Sequence, residues 1–125
     1  MSTILLVEDH PLNRYLFRDL LQPHFKVIEA CSAEEAQGIL ETITPDLILM
    51  DLQLPGMDGL SLARLIKLLP KTSQIPIIVI SSLALPRYLQ EAAEAGCVDY
   101  ITKPITDDRS ALVSRLSRWL PVSAD

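Results

Sequence analysis

Five short apolar runs alternate along the chain with segments that carry helical signals, and this alternation limits the fold more than any other feature. Most of the runs are apolar at consecutive positions, as expected for strands covered on both faces. We predict strands at residues 3–7, 26–29, 47–50, 77–81 and 99–102.

The segments between the runs carry signals that are typical of helix ends. Pro11 and Pro86 suit the first turn of a helix, and Ser32 with Glu35 matches a capping box. Asp58 lies in a Pro-Gly-Met-Asp-Gly turn, where we interpret it as a turn or N-cap residue rather than a ligand. We predict helices at residues 11–22, 32–43, 60–69 and 107–120, with a fourth in chain order that begins at Pro86 and ends at Gly96.

Strands that alternate with helices predict an α/β fold in which helices cover both faces of one parallel sheet. Right-handed crossovers and short connections favour a doubly wound arrangement of five strands. We predict one domain over residues 1–120 and a short tail over residues 121–125.

Composition excludes several classes of protein. With 49% apolar and 22% charged residues the chain is not disordered, and a net charge of −5 disfavours binding to nucleic acid or to anionic membranes. No apolar run approaches the roughly 18 residues of a membrane span, and the N-terminus lacks the features of a signal peptide. We expect a cytoplasmic domain with no nucleic-acid or membrane partner, in which Cys31 and Cys97 are small buried apolar residues.

Polar side chains stand where the predicted strands end. Glu8 and Asp9 follow the first strand, Asp51 the third and Lys103 the fifth, while Ser81 closes the fourth. The carboxyl ends of parallel strands meet at one edge of the sheet, where ligands bind. Three carboxylates at that edge would repel one another, and a Mg²⁺ ion would remove the repulsion. Together with the lysine and the hydroxyl, they could hold a phosphoryl group.

Four separated segments resemble the signature segments of receiver domains of two-component response regulators. They are "VED" at 7–9, "MDLQLPGMDG" at 50–59, "IIVISS" at 77–82 and "YITKP" at 100–104. The resemblance covers essentially the whole chain, and its motifs fall in the right order at the strand ends. It implies a flavodoxin-like sheet with the strand order 2-1-3-4-5.

The resemblance implies a role for each of these residues. Asp51 would be the phosphoacceptor, which attacks the phosphorus of a phosphohistidine. Asp9 and Asp51 would bind Mg²⁺ directly, the backbone carbonyl of Gln53 would be a third ligand, and Glu8 would act through water. Mn²⁺ could substitute for Mg²⁺. Lys103 would pair with the phosphoryl oxygens, and its peptide bond to the following proline is expected to be cis.

The resemblance also implies a switch. Ser81 would donate its hydroxyl to the new phosphoryl group, and Tyr100 would be the aromatic residue that turns inward when Ser81 moves. Simple packing is a competing interpretation of Tyr100. Ser81 stands where threonine is more usual. Leu83 is apolar where many members carry a polar residue that assists hydrolysis, and our hypothesis is that it lengthens the lifetime of the acyl phosphate.

The expected partners are proteins. A histidine kinase or a histidine phosphotransfer protein would be the donor. A downstream protein would bind the face formed by the fourth helix, fifth strand and fifth helix, within residues 82–120. We expect a monomer or a weak dimer that works as a stand-alone receiver, because the sequence begins near its first strand and ends after its fifth helix.

Three alternatives stay open at this stage. The chain could be a receiver excised from a hybrid histidine kinase, or a receiver-like binding module that is never phosphorylated. The third alternative is an aspartyl-phosphate phosphatase, which usually has a second aspartate two residues beyond the nucleophile, where this chain has Gln53. We therefore expect a signalling domain rather than a turnover enzyme.

Overall fold

The computed structural model describes residues 1–106 and 108–120. The predicted tail and residue 107, with which the fifth helix was predicted to begin, lie outside the described residues. Strands and helices alternate throughout, as the apolar runs predict. The strands are β1 Thr3–Val7, β2 Lys26–Ala30, β3 Leu47–Asp51, β4 Ile77–Ser81 and β5 Asp99–Thr102. The helices are α1 Pro11–Leu21, α2 Ala33–Thr42, α3 Gly59–Leu68, α4 Pro86–Glu94 and α5 Arg109–Ser117.

The strands form one parallel sheet in the order β2-β1-β3-β4-β5, which confirms the predicted fold class. Val7 lies opposite both Ala30 and Met50, and Asp51 lies opposite Ile80. Ser81 lies opposite Thr102. The strands therefore end nearly level with one another, at what we call the carboxyl edge of the sheet; the opposite edge, where the strands begin, is the amino edge.

Both faces of the sheet are buried, which explains the continuous apolar runs. Leu5 and Val7 pack with α2 and α3 on one face, whereas Ile4 and Leu6 pack with α1 and α5 on the other. A small third cluster forms where Ala92 of α4 meets the sheet. Among the described residues, no helix combines the length and apolar character needed to cross a membrane.

Side-chain caps fix where three helices begin. The Ser32 hydroxyl accepts from the Glu35 amide at 3.1 Å, the Asp58 carboxylate from Ser61 at 2.8 Å and the Asp108 carboxylate from the amide of residue 111 at 2.8 Å. The N-cap interpretation of Asp58 is confirmed. The last helix begins at Arg109, because its cap is Asp108.

The interpretation of Cys31 as a buried residue is wrong. Cys31 is exposed and Cys97 is only partly buried. Cys31 lies just beyond the end of β2, outside the two layers of core side chains, and its thiol donates to Glu35 Oε2 at 3.2 Å. Glu35 also accepts from the Cys31 amide at 3.3 Å, so it reaches back one residue further than a capping box requires.

Candidate functional site

Asp51 is the last residue of β3, a central strand, and only 4% of it is exposed. Both of its carboxylate oxygens are bonded. The Gln53 amide donates to Oδ1 at 2.9 Å, and the Lys103 ammonium donates to Oδ2 at 2.7 Å. A buried carboxylate is costly unless it has such partners. Asp51 is therefore held in one orientation at the carboxyl edge.

Lys103 joins two acidic residues that come from different strands. Its backbone amide continues the β4–β5 ladder by donating to the Ser81 carbonyl at 2.8 Å. Its ammonium donates to Glu8 Oε1 at 2.5 Å as well as to Asp51. Burial lowers the pKa of the Lys103 ammonium, but the hydrogen bonds to Asp51 and Glu8 outweigh burial and leave the pKa above its usual value. The Lys103–Pro104 bond is cis, as expected.

Glu8, Asp9 and Asp51 form an acidic cluster in which one carboxylate oxygen of each lies within 4.8 Å of the others. Glu8 is fully buried and Asp9 is exposed. With all four groups ionised, the three carboxylates and the one ammonium carry two net negative charges, which one divalent cation would balance. Oxygen ligands of this kind suit Mg²⁺ or Mn²⁺. The residues present therefore fit a hard divalent cation.

Two of the predicted metal-site residues also have other contacts. Glu8 accepts a hydrogen bond from the Lys103 ammonium, so it orients that lysine in addition to being a member of the acidic cluster. Gln53 is positioned by its amide bond to Asp51, and its side-chain oxygen accepts from the Ser82 hydroxyl at 3.1 Å. The ligand roles of the Gln53 carbonyl and of a Glu8-bound water stay predictions.

The predicted switch residues meet at the loop that follows β4. Ser81 is fully buried, and its hydroxyl oxygen accepts from the Leu83 amide at 3.1 Å. The Tyr100 hydroxyl donates to the carbonyl of the same leucine at 2.5 Å. Burial raises the pKa of the Tyr100 hydroxyl, although the nearby Ser81 hydroxyl opposes this effect. Ser81 and Tyr100 therefore hold opposite sides of one peptide segment.

The sequence interpretation missed Arg14, a residue of α1 that braces the acidic pair. Arg14 Nη1 donates to the Glu8 carbonyl at 3.0 Å and to the Asp9 carbonyl at 2.9 Å. Its position five residues after Asp9, on the first turn of a helix that begins beside the site, was the available signal.

Two contacts of the loop between β3 and α3 were also missed. A Cβ on Gly59 would lie 2.4 Å from the Asp51 carbonyl oxygen, so α3 begins in direct contact with the Asp51 backbone. Glu34 of α2 accepts from the Met57 amide at 3.2 Å, which ties the far side of this loop to a second helix. Hydrogen bonds from its own backbone amide and from the Met57 amide lower the pKa of Glu34. The glycine could have been noticed as the end of the "PGMDG" turn; the Glu34 contact had no sequence signal.

This fold, with a lysine-bound aspartate beside an acidic cluster at the carboxyl edge, defines a receiver-like signalling domain. The chain matches the response regulator receiver domain family over residues 4–117, and it belongs to that family.

Two of the similar proteins differ greatly in length: one is about as long as this chain, and the other is far longer. The polar-differentiation response regulator DivK of Brucella ovis is 36% identical over 109 residues, which are 86% of this chain and 89% of that protein. The signal transduction histidine-protein kinase BarA of Escherichia coli K12 is 36% identical over 122 residues, which are 97% of this chain but only 13% of that kinase.

A solved structure gives a close structural match. The receiver domain of the sensor histidine kinase PA1611 from Pseudomonas aeruginosa, determined with magnesium coordinated in its active-site cleft, superposes with a TM-score of 0.85 at 34% identity, and covers 94% of this chain and 96% of that one.

Proposed function

We propose that Asp51 accepts a phosphoryl group from a phosphohistidine and that the phosphorylated domain signals through protein contacts. One observation carries this proposal: Asp51 is buried at the carboxyl edge, held by Lys103 and by the Gln53 amide, and adjoins two further carboxylates. This set combines a nucleophile, a charge-neutralising cation and donors for phosphoryl oxygens.

In the proposed transfer, an Asp51 carboxylate oxygen forms a bond to phosphorus as the bond from phosphorus to the histidine nitrogen breaks. The electron pair of the broken bond stays on the imidazole, which leaves neutral once that nitrogen is protonated. Lys103 moves from a carboxylate partner toward a phosphoryl oxygen, and the Ser81 hydroxyl donates to another. The phosphoryl group adds close to two negative charges.

The cation proposed for the acidic cluster is Mg²⁺, with Mn²⁺ as a substitute. Asp9 and Asp51 would hold it directly, with the Gln53 carbonyl and a Glu8-bound water completing the protein's share. When bound, Mg²⁺ would neutralise charge on the phosphoryl oxygens. The magnesium in the PA1611 receiver supports this assignment.

The proposed switch follows from the bonds of Ser81. Its hydroxyl accepts from the Leu83 amide, and Tyr100 holds the Leu83 carbonyl. A shift of the hydroxyl toward a phosphoryl group would move that peptide segment, and Tyr100 with it. Two arrangements of the surface within residues 82–120 would then differ in population.

Two surfaces suit the two kinds of partner. A groove of about 520 Å³ between α1 and the segment after β5 opens beside Lys103, lined by apolar Leu16, Leu20 and Ile105, and it suits the phosphohistidine donor. The downstream target would bind the α4-β5-α5 face, where Leu85 and Leu89 are exposed. A histidine kinase or a histidine phosphotransfer protein would be the donor.

The decisive experiment is intact-mass spectrometry after incubation with acetyl phosphate and Mg²⁺. We expect the wild-type protein to gain the mass of one phosphoryl group. Asp51→Asn should show no gain, and neither should the wild-type protein when the cation is chelated. The asparagine keeps the shape of the side chain, so it is a matched control. Labelling that persists in Asp51→Asn would overturn the assignment of the phosphoacceptor.

A separate incubation with a generic phosphate ester tests the expectation that the domain is not a turnover enzyme. We expect at best slow self-hydrolysis, whereas sustained release of phosphate from the ester would favour the phosphatase alternative. No labelling at all would favour a binding module. The cytoplasmic location, the monomer or weak dimer and the stand-alone arrangement stay predictions, and DivK and BarA illustrate both arrangements.

A further inference from the structure

The backbone of Glu8 and Asp9 is held by the Arg14 guanidinium, which donates to their carbonyls and not to the carboxylates of the cluster. The strand β1 ends at Val7, so the carbonyls of Glu8 and Asp9 lie beyond the sheet ladder. One nitrogen of Arg14 donates to both of these carbonyls, at 3.0 Å and 2.9 Å. The bond to Asp9 has a direct consequence, because Asp9 is the exposed member of the cluster and packing does little to orient it.

The Arg14 guanidinium also pairs with a carboxylate through a different nitrogen, Nε. Its Nε lies 3.7 Å from Glu29 Oε1 on β2, and the other Glu29 oxygen accepts from Arg18 at 2.7 Å. The side chain of Arg14 is 23% exposed. The planar guanidinium is therefore anchored both to β2 and to the two carbonyls.

We propose that Arg14 is a positioning residue for the cation site: it fixes the backbone of Glu8 and Asp9 so that their carboxylates converge with Asp51. This inference rests on the proposed function, because it assumes that the acidic cluster binds Mg²⁺. Outer partners that orient metal ligands typically change metal affinity by about 10- to 100-fold.

Electrostatics alone makes the opposite prediction, which gives a sharp test. Arg14 is a positive charge close to a cation site, so its removal should strengthen Mg²⁺ binding if charge were its only effect. If Arg14 positions the ligands, its removal should weaken binding. The sign of the change therefore separates the two roles.

The experiment is a Mg²⁺ titration of the whole chain, followed by backbone amide shifts in NMR at constant ionic strength. We expect Arg14→Met to weaken Mg²⁺ binding by about tenfold. Arg18→Met is the matched control, because Arg18 lies one turn along the same helix and pairs with the same glutamate, yet donates to that glutamate rather than to either carbonyl. Its Mg²⁺ affinity should stay within about twofold or become slightly tighter.

Thermal unfolding without Mg²⁺ shows whether each variant is folded. If Arg14→Met does not fold, Arg14→Lys decides in its place, since a single ammonium keeps the charge but cannot reproduce the planar fork. Weaker Mg²⁺ binding in a folded Arg14 variant supports the proposal, and unchanged or tighter binding overturns it. A wild-type protein that binds no Mg²⁺ would instead refute the cation site in the proposed function, and the role of Arg14 with it.

Discussion

Two half-buried lysines at opposite edges of the sheet have opposite electrostatic environments. Lys103, at the carboxyl edge, bonds to the carboxylates of Glu8 and Asp51, and its pKa is raised above the usual value. Lys67 of α3, at the amino edge, donates to the backbone carbonyls of Ser73 and Ile75 at 3.1 Å and 2.6 Å. Burial lowers the pKa of Lys67.

The difference shows how one sheet divides chemistry from structure. At the carboxyl edge, charged side chains from separate strands form hydrogen bonds with one another, and these bonds raise the pKa of Lys103. At the amino edge, a similar ammonium closes the loop before β4 by donating to two neutral carbonyls. If this division is correct, substitutions at the first edge should change phosphorylation, and those at the second should change stability.

The two lysines give the largest expected effect. Lys103→Met removes the cation that faces the transferred group, and loss of such a charge typically costs about 10²–10³ in rate. Lys67→Met should leave the rate within about twofold and lower the free energy of unfolding by about 1–2 kcal/mol, because two hydrogen bonds are lost. Phosphorylation by acetyl phosphate and urea unfolding measure the two effects. A slow Lys67→Met variant with normal stability would break the division.

The glycines provide a second matched pair. A Cβ at Gly59 would meet the Asp51 carbonyl oxygen, whereas a Cβ at Gly96 would meet Lys67 Cγ at 2.9 Å. Gly96 has φ of +97°, where other residues are strained by about 1–3 kcal/mol. Both Gly59→Ala and Gly96→Ala should lose stability.

Only Gly59→Ala should also slow phosphorylation, by about tenfold or more, since small displacements of reacting groups are costly. The rate is measured per folded molecule, at a temperature where both variants are native. Equal rates in the two variants would show that the contact with Asp51 does not position it.

The fold and most of the site could be predicted because each depends on local patterns. Strands buried on both faces have continuous apolar runs, and residues that follow parallel strands lie at the carboxyl edge. The sequence therefore predicted that Asp51 and Lys103 lie at the same edge, where they form a hydrogen bond. Helix ends were off by up to three residues, since they depend on local capping.

The remaining features depend on how helices approach the loops. Arg14 reaches two carbonyls and Glu34 reaches the Met57 amide only because α1 and α2 pack beside the site. Cys31 was misjudged because an isolated cysteine with no metal-like spacing is usually a small buried residue, whereas Cys31 lies one residue beyond the end of β2 and is exposed.

Substitution of Leu83 tests whether an apolar side chain at the carboxyl edge lengthens the lifetime of the acyl phosphate. Leu83 is partly buried and its backbone is bonded to Ser81 and Tyr100, so its side chain can change while those bonds persist. Leu83→Glu should shorten the half-life of the acyl phosphate by about three- to tenfold, by orienting an attacking water. Leu69→Glu, at an exposed leucine just after α3 at the amino edge, is the control. A half-life that does not shorten removes support for shielding by Leu83.

The cysteines give the smallest and most local effect. At the carboxyl edge, a hydrogen bond to Glu35 is the main cause that raises the pKa of the Cys31 thiol. At the amino edge, burial raises the pKa of Cys97 to about 11. The thiolate is the reactive form, so a raised pKa means slower alkylation at pH 8 and a rate that climbs until the pH passes the pKa.

Glu35→Gln should therefore lower the Cys31 pKa and speed its alkylation by iodoacetamide at pH 8 about two- to fivefold. Cys97→Ser isolates this reaction, and Cys31→Ser isolates Cys97, which should react far more slowly until the chain unfolds. As for the lysines, the main cause of the pKa shift differs between the two edges: it is a carboxylate at the carboxyl edge and burial at the amino edge. If Cys31 is alkylated at the same rate in Glu35→Gln as with Glu35 present, this explanation is contradicted, because exposure alone would then determine its reactivity.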